Sequence, residues 1–208
     1  MKTHPAKTTL KPRKTPGQQR STATVAAIVE AAARILEAKG FEGYTTNGVA
    51  EHAGVSIGSL YQYFPNKDAI TRALIERETS LLLADVIPLE AEPDGQLALR
   101  GLLQSAVRHQ LRRPLLARLL DIEEARLPML EDIERIAQRI ARVLRKSLQT
   151  TYRIETEQSY LIGDLLAIVK GMVDAAGQRG ESDSDGLLDR VECAVYGYLE
   201  QAAHKYTG

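Results

Sequence analysis

The chain has 208 residues, of which 44% are hydrophobic and 26% are charged, and its formal net charge is zero at pH 7. This length allows one large or two modest domains with a real core, and the hydrophobic fraction is ordinary for a globular protein. The single cysteine, Cys193, excludes an intramolecular disulfide framework and indicates a reducing, cytoplasmic location, and no apolar run is long enough to span a membrane.

The chain begins with a basic segment. Residues 1–20 contain six Lys/Arg, three Pro and no acidic residue, which predicts a disordered arm. In that arm Lys11, Arg13, Lys14 and Arg20 are candidates for contacts with a nucleic-acid backbone or minor groove. The alternative is a solvated tail without function. No apolar segment follows these charges, so we do not expect a targeting peptide.

The charge is distributed unevenly along the chain. Residues 1–78 hold 11 Lys/Arg against 7 Asp/Glu, whereas residues 79–208 hold 16 against 20. A basic front and an acidic remainder are expected of a protein that contacts phosphate groups with one end.

A first helix is followed by a pattern typical of a helix-turn-helix. Apolar residues repeat at helical spacing between residues 25 and 36, and Gly40 is expected to end that helix. Gly54 then marks a sharp reversal between two short helices, because glycine adopts a positive φ readily. Ser56 is expected to cap the second of these helices and Thr46 the first. An ordinary αα-hairpin within a helical core is the alternative interpretation.

The run from Gly54 to Ala69, Gly-Val-Ser-Ile-Gly-Ser-Leu-Tyr-Gln-Tyr-Phe-Pro-Asn-Lys-Asp-Ala, closely resembles the tetracycline-repressor-like (TetR) family of bacterial regulators. The similarity extends back through Thr45 and Thr46 to Gly40 and covers about the first third of the chain. It implies an all-α fold with an N-terminal three-helix DNA-binding domain over residues 21–67. A larger helical domain for ligand binding and dimerisation would occupy residues 68–208.

The resemblance also implies roles on double-stranded DNA. Hydroxyl groups and an ammonium group at helix starts suit contacts with phosphate, and small or polar side chains on the second helix suit contacts with base edges. The implied phosphate contacts are Thr46, Tyr61, Tyr63 and Lys67. The implied base-reading residues are Asn47, Ser56, Ile57, Gly58, Ser59 and Gln62.

The rest of the chain is predicted to be helical. Asn66 is expected to cap a fourth helix that runs to about Val86, and residues 88–95 are expected to form a loop. Residues 150–154 could be briefly extended. The further helices are predicted near residues 96–112, 115–125, 129–150, 156–178 and 186–205.

The last two predicted helices are candidates for a dimer interface. The helix over 156–178 is apolar on nearly all sides, so it must be covered on more than one side. Filling of the monomer's own core is one interpretation, and the family resemblance implies a four-helix interface between two copies instead. Its candidate residues are Gly163, Ala167, Gly171, Ala175, Val191, Val195 and Tyr198. Such a dimer would place two reading helices about 34–36 Å apart or wider on a palindromic operator.

The family resemblance further implies a small-molecule effector bound between helices near residues 96–178. The conceivable lining residues are Arg108, His109, Arg112, Tyr152, Tyr160 and Met172. The leading hypothesis is therefore a homodimeric repressor that a ligand releases from DNA. Control by a protein partner and an enzyme with a purely structural helix-turn-helix are the alternatives. The sequence shows no nucleophile, metal-ligand or cofactor-binding pattern, so we expect no cofactor and no metal.

Overall fold

A computed structural model describes residues 16–127, 130–154 and 159–207 of the chain. The described residues form helices joined by turns, which confirms the predicted all-α fold. A short 3₁₀ turn, Ile87–Glu90, follows the fourth helix and occupies part of the predicted loop over 88–95. The helices are α1 (Pro16–Gly43), α2 (Thr46–His52), α3 (Ile57–Tyr63), α4 (Lys67–Val86), α5 (Gly95–Arg112), α6 (Pro114–Arg126), α7 (Leu130–Thr151), α8 (Ser159–Gln178) and α9 (Ser184–Thr207).

The first helix begins earlier than the sequence suggested. It starts at Pro16, so residues 16–20 of the predicted arm are helical, and residues 1–15 lie outside the described part of the chain. Proline is well suited to a first helical position, because it lacks the N–H group that would have no partner there. Gly40 lies inside the range given for α1, but its φ of +61° is not helical, so the first helix is interrupted there as predicted and resumes only as a short piece up to Gly43.

Two hydrophobic clusters form the core. The first, here called the head cluster, contains buried residues of α1, α2 and α3, the first half of α4, and α6. Leu116 and Leu120 of α6 belong to it although they lie far along the chain. The core around the helix-turn-helix therefore extends past residue 67, where the sequence placed the domain boundary.

The second cluster, here called the body cluster, contains residues of α5, α7, α8 and α9 together with Val86 at the end of α4. Helix α4 thus contributes to both clusters, with Leu74 in the head cluster and Val86 in the body cluster. The structure links the two parts of the molecule through α4 and α6.

The segment after α7 differs from the expectation. The predicted extended stretch at 150–154 is instead the end of α7 followed by a turn in which Arg153 has a φ of +54°. Within the residues that the structure describes, no helix is long and apolar enough to cross a membrane.

Candidate nucleic-acid interface and cavity

The turn between α2 and α3 has the geometry that the sequence predicted. Gly54 has a φ of +68°, and the backbone N–H of Val55 donates to the carbonyl of Ala50 at 3.0 Å. Ser56 accepts a hydrogen bond from the N–H of Ser59 at 3.0 Å and caps α3, as expected. The turn and the α3 cap are therefore confirmed.

The cap of α2 is Thr45, and the prediction of Thr46 was wrong. The Thr45 hydroxyl accepts from the N–H of Gly48 at 3.1 Å, because Thr45 has the extended backbone of a cap residue. The Thr46 hydroxyl instead lies 3.2 Å from the hydroxyl of Tyr61. This hydrogen bond joins the start of α2 to α3, so the two hydroxyls form one polar group on the surface.

Helix α3 presents a mixed surface to solvent. Ile57 is 39% exposed and Tyr61 is 50% exposed, and Gly58 and Gln62 are exposed beside them. Ser59 is half-buried, and its hydroxyl lies 2.9 Å from that of Ser56. The side of α3 that a base edge could reach therefore offers the apolar side chain of Ile57, the amide of Gln62 and the phenol of Tyr61. Asn47 of α2 is also exposed.

The start of α4 places a cation beside this surface. Asn66 caps α4 as predicted, since its side-chain oxygen accepts from the N–H of Ala69 at 2.8 Å. Lys67 is exposed, and its ammonium nitrogen lies 5.4 Å from the centroid of the Tyr44 ring. Tyr63 is half-buried against the head cluster.

Tyr44 is a structural residue that the sequence did not reveal. Its ring is buried in the head cluster, and its hydroxyl lies 3.1 Å from the hydroxyl of Thr71 on α4. Burial raises the pKa of Tyr44 to about 12, so the phenol stays protonated at neutral pH. Tyr44 therefore fixes the start of the helix-turn-helix against α4 and supports Lys67.

The predicted DNA contacts of the basic arm lie largely outside the described structure. Lys11, Arg13 and Lys14 lie outside the described residues, and Arg20 lies on α1 with a side chain whose position is not described. Their predicted contacts with DNA stay predictions.

A cavity of about 390 Å³ lies next to the head cluster, among residues of α4, α5, α6, α7 and α8. Of the six predicted ligand-binding residues, His109 lines it. Burial lowers the pKa of His109, so its imidazole is neutral at pH 7. The cavity lining also includes residues that the sequence did not single out, among them Glu78, Arg113, Asp121, Glu124, Lys170 and Asp174.

The other five predicted ligand-binding residues lie elsewhere. Arg108 is exposed and is paired with Asp85 at 3.8 Å, and Arg112 is paired with Glu78 at the side of the cavity. Tyr152 and Met172 pack against the body cluster, and Tyr160 is 48% exposed.

An ion-pair network, here called the junction network, connects the head to the cavity. Arg113, at the turn between α5 and α6, donates two hydrogen bonds to Glu37 of α1, one of them 2.8 Å long. A third hydrogen bond of 3.2 Å reaches Glu30. Arg77 of α4 donates to Glu30 at 2.9 Å and to Glu78 at 2.7 Å. Because Glu78 and Arg113 also line the cavity, the network is shared by the cavity wall and α1.

The network changes the ionisation of its members. Burial opposes the ionisation of Glu30, but hydrogen bonds from Arg34 and Arg77 and the charges of Arg113 and Arg77 outweigh it, so the pKa of Glu30 is lowered. The hydrogen bonds to Glu37, reinforced by the charges of Glu37 and Glu30, raise the pKa of Arg113 despite its burial. Both shifts keep Glu30 and Arg113 charged at neutral pH.

The predicted dimer residues separate into two groups. Gly163, Ala167 and Gly171 are exposed along one side of α8, and Ala175 and Tyr198 are half-buried beside them. Val191 and Val195 have no exposed surface because they pack inside the body cluster of their own subunit. The prediction that Val191 and Val195 lie on a surface between two copies was therefore wrong.

The helical architecture is similar to that of regulators of known structure. A TetR transcription regulator from Haloarcula marismortui has a TM-score of 0.71 at 16% sequence identity, over 86% of this chain and 98% of that one. The fatty acid degradation regulator FadR from Bacillus halodurans has a TM-score of 0.69 at 17% identity, over 83% and 97%. At these identities the likeness shows the fold.

The sequence comparison shows the family. Residues 28–74 match the family model of bacterial regulatory proteins of the tetR family. The nucleoid occlusion factor SlmA of Sodalis glossinidius is 32% identical over 156 residues, which are 70% of this chain and 79% of that protein. SlmA of Glaesserella parasuis is 32% identical over 82 residues, so that match spans 41% of that protein. The chain belongs to the TetR family of bacterial regulatory proteins.

The family defines the class of activity. The chain is, like members of this family, a DNA-binding regulator of transcription and not an enzyme. Its helix-turn-helix over α2 and α3 lies within the matched residues, and the exposed side of α3 is the surface that can enter a major groove.

Proposed function

We propose that the protein is a homodimeric repressor that leaves its operator when a small molecule fills the cavity among α4 to α8. One observation carries the proposal: α6 belongs to the head cluster and to the wall of the cavity at the same time. Leu116 and Leu120 are buried in the head cluster and also line the cavity. A ligand that displaces α6 therefore also displaces the core on which α3 rests.

The junction network adds a second connection of the same kind. Arg113 and Glu78 line the cavity, and Arg113 is bound to Glu30 and Glu37 of α1. A ligand shifts an equilibrium only by its difference in affinity between two conformations. The proposal therefore requires that the ligand fit the cavity better when α2 and α3 have moved out of their DNA-binding position.

A bulky side chain in the cavity should act like the ligand. Ala117 of α6 lines the cavity, whereas Ala125 of the same helix is exposed. We expect Ala117→Phe to weaken operator binding, measured by fluorescence anisotropy, and Ala125→Phe to leave it unchanged. Circular dichroism would establish that both variants are folded. Equal operator affinity of both folded variants would contradict the coupling between the cavity and the head.

The proposed contacts with DNA divide into two kinds. Lys67 is an exposed ammonium at the start of α4 and is proposed to bind a phosphate group, while Gln62 is exposed on α3 and is proposed to bind a base edge. Thr46, Tyr61 and Tyr63 are proposed to assist on the phosphate side. Asn47, Ser56, Ile57, Gly58 and Ser59 are proposed to line the base side, where Ile57 would pack on a thymine methyl group.

These two roles predict different losses. Lys67→Ala should weaken binding to operator and random DNA alike and reduce the salt dependence by about one phosphate contact. Gln62→Ala should reduce the preference for the operator, by about 1–3 kcal/mol of discrimination. Arg145→Ala removes the same charge as Lys67→Ala from an exposed position on α7 and serves as the control. Identical effects of Lys67→Ala and Gln62→Ala on both DNAs would contradict this division.

The proposed dimer surface is the exposed side of α8 with the adjoining side of α9. A Cβ atom added at Gly163, Gly171 or Gly197 would meet no atom within 4 Å, so these positions are open toward solvent. Small residues on an exposed helix side allow another helix to approach closely, and a two-fold dimer would pair this surface with itself. Tyr198 donates to Asp164 at 2.6 Å across α8 and α9 and holds the surface together.

Sedimentation experiments would test this surface. Ala167→Glu places a charge at the centre of the proposed interface, and Ala84→Glu places the same charge at an exposed position on α4. We expect dimers for the wild type and Ala84→Glu, and monomers for Ala167→Glu. A dimer that is unaffected by Ala167→Glu would show that the interface lies elsewhere.

A second candidate function follows from the relatives. The similarity to SlmA of Sodalis glossinidius covers 70% of this chain and therefore extends past the residues of the family model. Proteins of that name are nucleoid occlusion factors, and a regulator of this kind could be controlled by a protein partner. The outward side of α6 offers exposed apolar residues for such a partner, with Leu115 at 47% and Ile122 at 53% exposure.

Chromosome-wide occupancy would distinguish the two functions. A repressor should occupy a few promoters and change their transcription, and Leu115→Ser together with Ile122→Ser should leave that pattern unchanged. If a protein partner on the outward side of α6 controls the protein, the same two substitutions should change the pattern.

A further inference from the structure

A smaller apolar cavity adjoins the cavity among α4 to α8. This second cavity has a volume of about 80 Å³, and its lining is apolar throughout. The two cavities have five lining residues in common, which are Leu82, Ala106, Ile140, Leu166 and Val169. The larger cavity carries polar side chains near α6, whereas the smaller one, lined also by Leu99 and Val195, is apolar. Two adjoining cavities of this kind fit a ligand with a polar head and an aliphatic tail.

The polar end carries an excess of carboxyl groups. The lining contains the carboxyl groups of Glu78, Asp121, Glu124 and Asp174, against the cations Arg113 and Lys170. Lys170 binds Asp121 at 3.0 Å and Asp174 at 3.2 Å, so one ammonium group faces two carboxylates.

The remaining lining charges have partners outside the cavity. Glu78 is bound by Arg77 and Arg112, and Arg113 is bound by Glu30 and Glu37. His109 is neutral at pH 7 because burial lowers its pKa. None of these groups offsets the negative charge near Lys170.

Glu124 is the carboxyl group available to a ligand. It is half-buried and forms no hydrogen bond or ion pair with another residue of the described chain. Burial and the negative charge of Asp121 raise its pKa, and Lys170 opposes this shift. A cation beside Glu124 would relieve the repulsion between Glu124 and Asp121, whereas an anion would add to it.

We propose that the cavity takes an amphiphilic cation, with its ammonium group against Glu124 and its aliphatic tail in the smaller cavity. The inference builds on the proposed function by naming the ligand class of the same cavity. It separates this chain from the regulator FadR of Bacillus halodurans, whose name refers to fatty acids. A fatty acid would bring a carboxylate to an end already rich in carboxylates.

Two probes with one tail test the head group. Dodecyltrimethylammonium and dodecanoate, each below its micellar concentration, are titrated calorimetrically into the DNA-free protein. We expect the cation to bind at least tenfold more tightly than dodecanoate. Glu124→Gln should lose about tenfold in affinity for the cation, as expected for one charged partner, without losing affinity for dodecanoate. Glu134→Gln, an exposed position on α7, should bind both probes as the wild type does.

A third variant tests the tail. Ala106 lines both cavities, so Ala106→Leu should weaken dodecyltrimethylammonium and leave hexyltrimethylammonium unchanged. The inference would be overturned by tighter binding of dodecanoate, by an unchanged cation affinity in folded Glu124→Gln, or by the binding of neither probe. Release of DNA is measured separately by anisotropy: cation binding without release would contradict the proposed function and leave the ligand class standing.

Discussion

The junction network allows one stability prediction to be worked out from its geometry. Arg113 is 21% exposed, and its partners Glu37 and Glu30 are 28% and 37% exposed. An exposed ion pair contributes about 0–1 kcal/mol, and breaking a buried one costs about 3–5 kcal/mol. Arg113 lies between these limits and binds Glu37 with two hydrogen bonds. We therefore expect Arg113→Met to lower the free energy of unfolding by about 2 kcal/mol.

Arg113→Lys should cost less, about 1 kcal/mol, because lysine keeps the charge and loses the two-pronged contact with Glu37. Urea denaturation followed by circular dichroism measures both values, and a double-mutant cycle with Glu37→Gln isolates the pair. We expect a coupling energy of about 1–2 kcal/mol that decreases at high salt. A coupling energy near zero, or Arg113→Met as stable as the wild type, would refute the reasoning.

Three further predictions follow from single contacts. Gly54→Ala should lower the free energy of unfolding by about 1 kcal/mol, because alanine is strained at a positive φ. An added Cβ meets no atom within 4 Å, so no steric clash adds to this loss. Unchanged thermal stability would contradict this prediction. Tyr44→Phe should lower the free energy of unfolding by about 1 kcal/mol, because the buried Thr71 hydroxyl loses one hydrogen-bond partner. A larger loss, measured by thermal unfolding, would show that the packing changes too. The lowered pKa of Glu30 means that its contribution is complete above its usual value of 4.5 and is lost as the pH falls through the folded-state pKa. The stability difference between Glu30→Gln and the wild type should therefore shrink below pH 4.5, and a constant difference from pH 7 to 3 would contradict it.

Local features of the site were predictable because they depend on neighbouring residues. The positive φ of Gly54 and the caps Ser56 and Asn66 follow from residue type and spacing. The α2 cap was misplaced by one residue because Thr45 and Thr46 offer the same hydroxyl, and the backbone conformation decides which of them caps.

The cavity was not predictable in the same way, because its lining comes from five helices that are distant in sequence. No local pattern shows that Leu116 and Leu120 pack against the head. The apolar stripe of α9 raises a related problem, because periodicity predicts burial without naming what covers the residues. Val191 and Val195 are covered by their own subunit.

Selection of DNA from a random library by the purified protein tests the central claim most directly. We expect enrichment of a palindromic site, bound by two or more protomers, whose affinity falls steeply with salt and whose sequence preference is reduced in Gln62→Ala. Failure to enrich any sequence, with equal binding to enriched and random DNA at every salt concentration, would contradict a sequence-specific regulator.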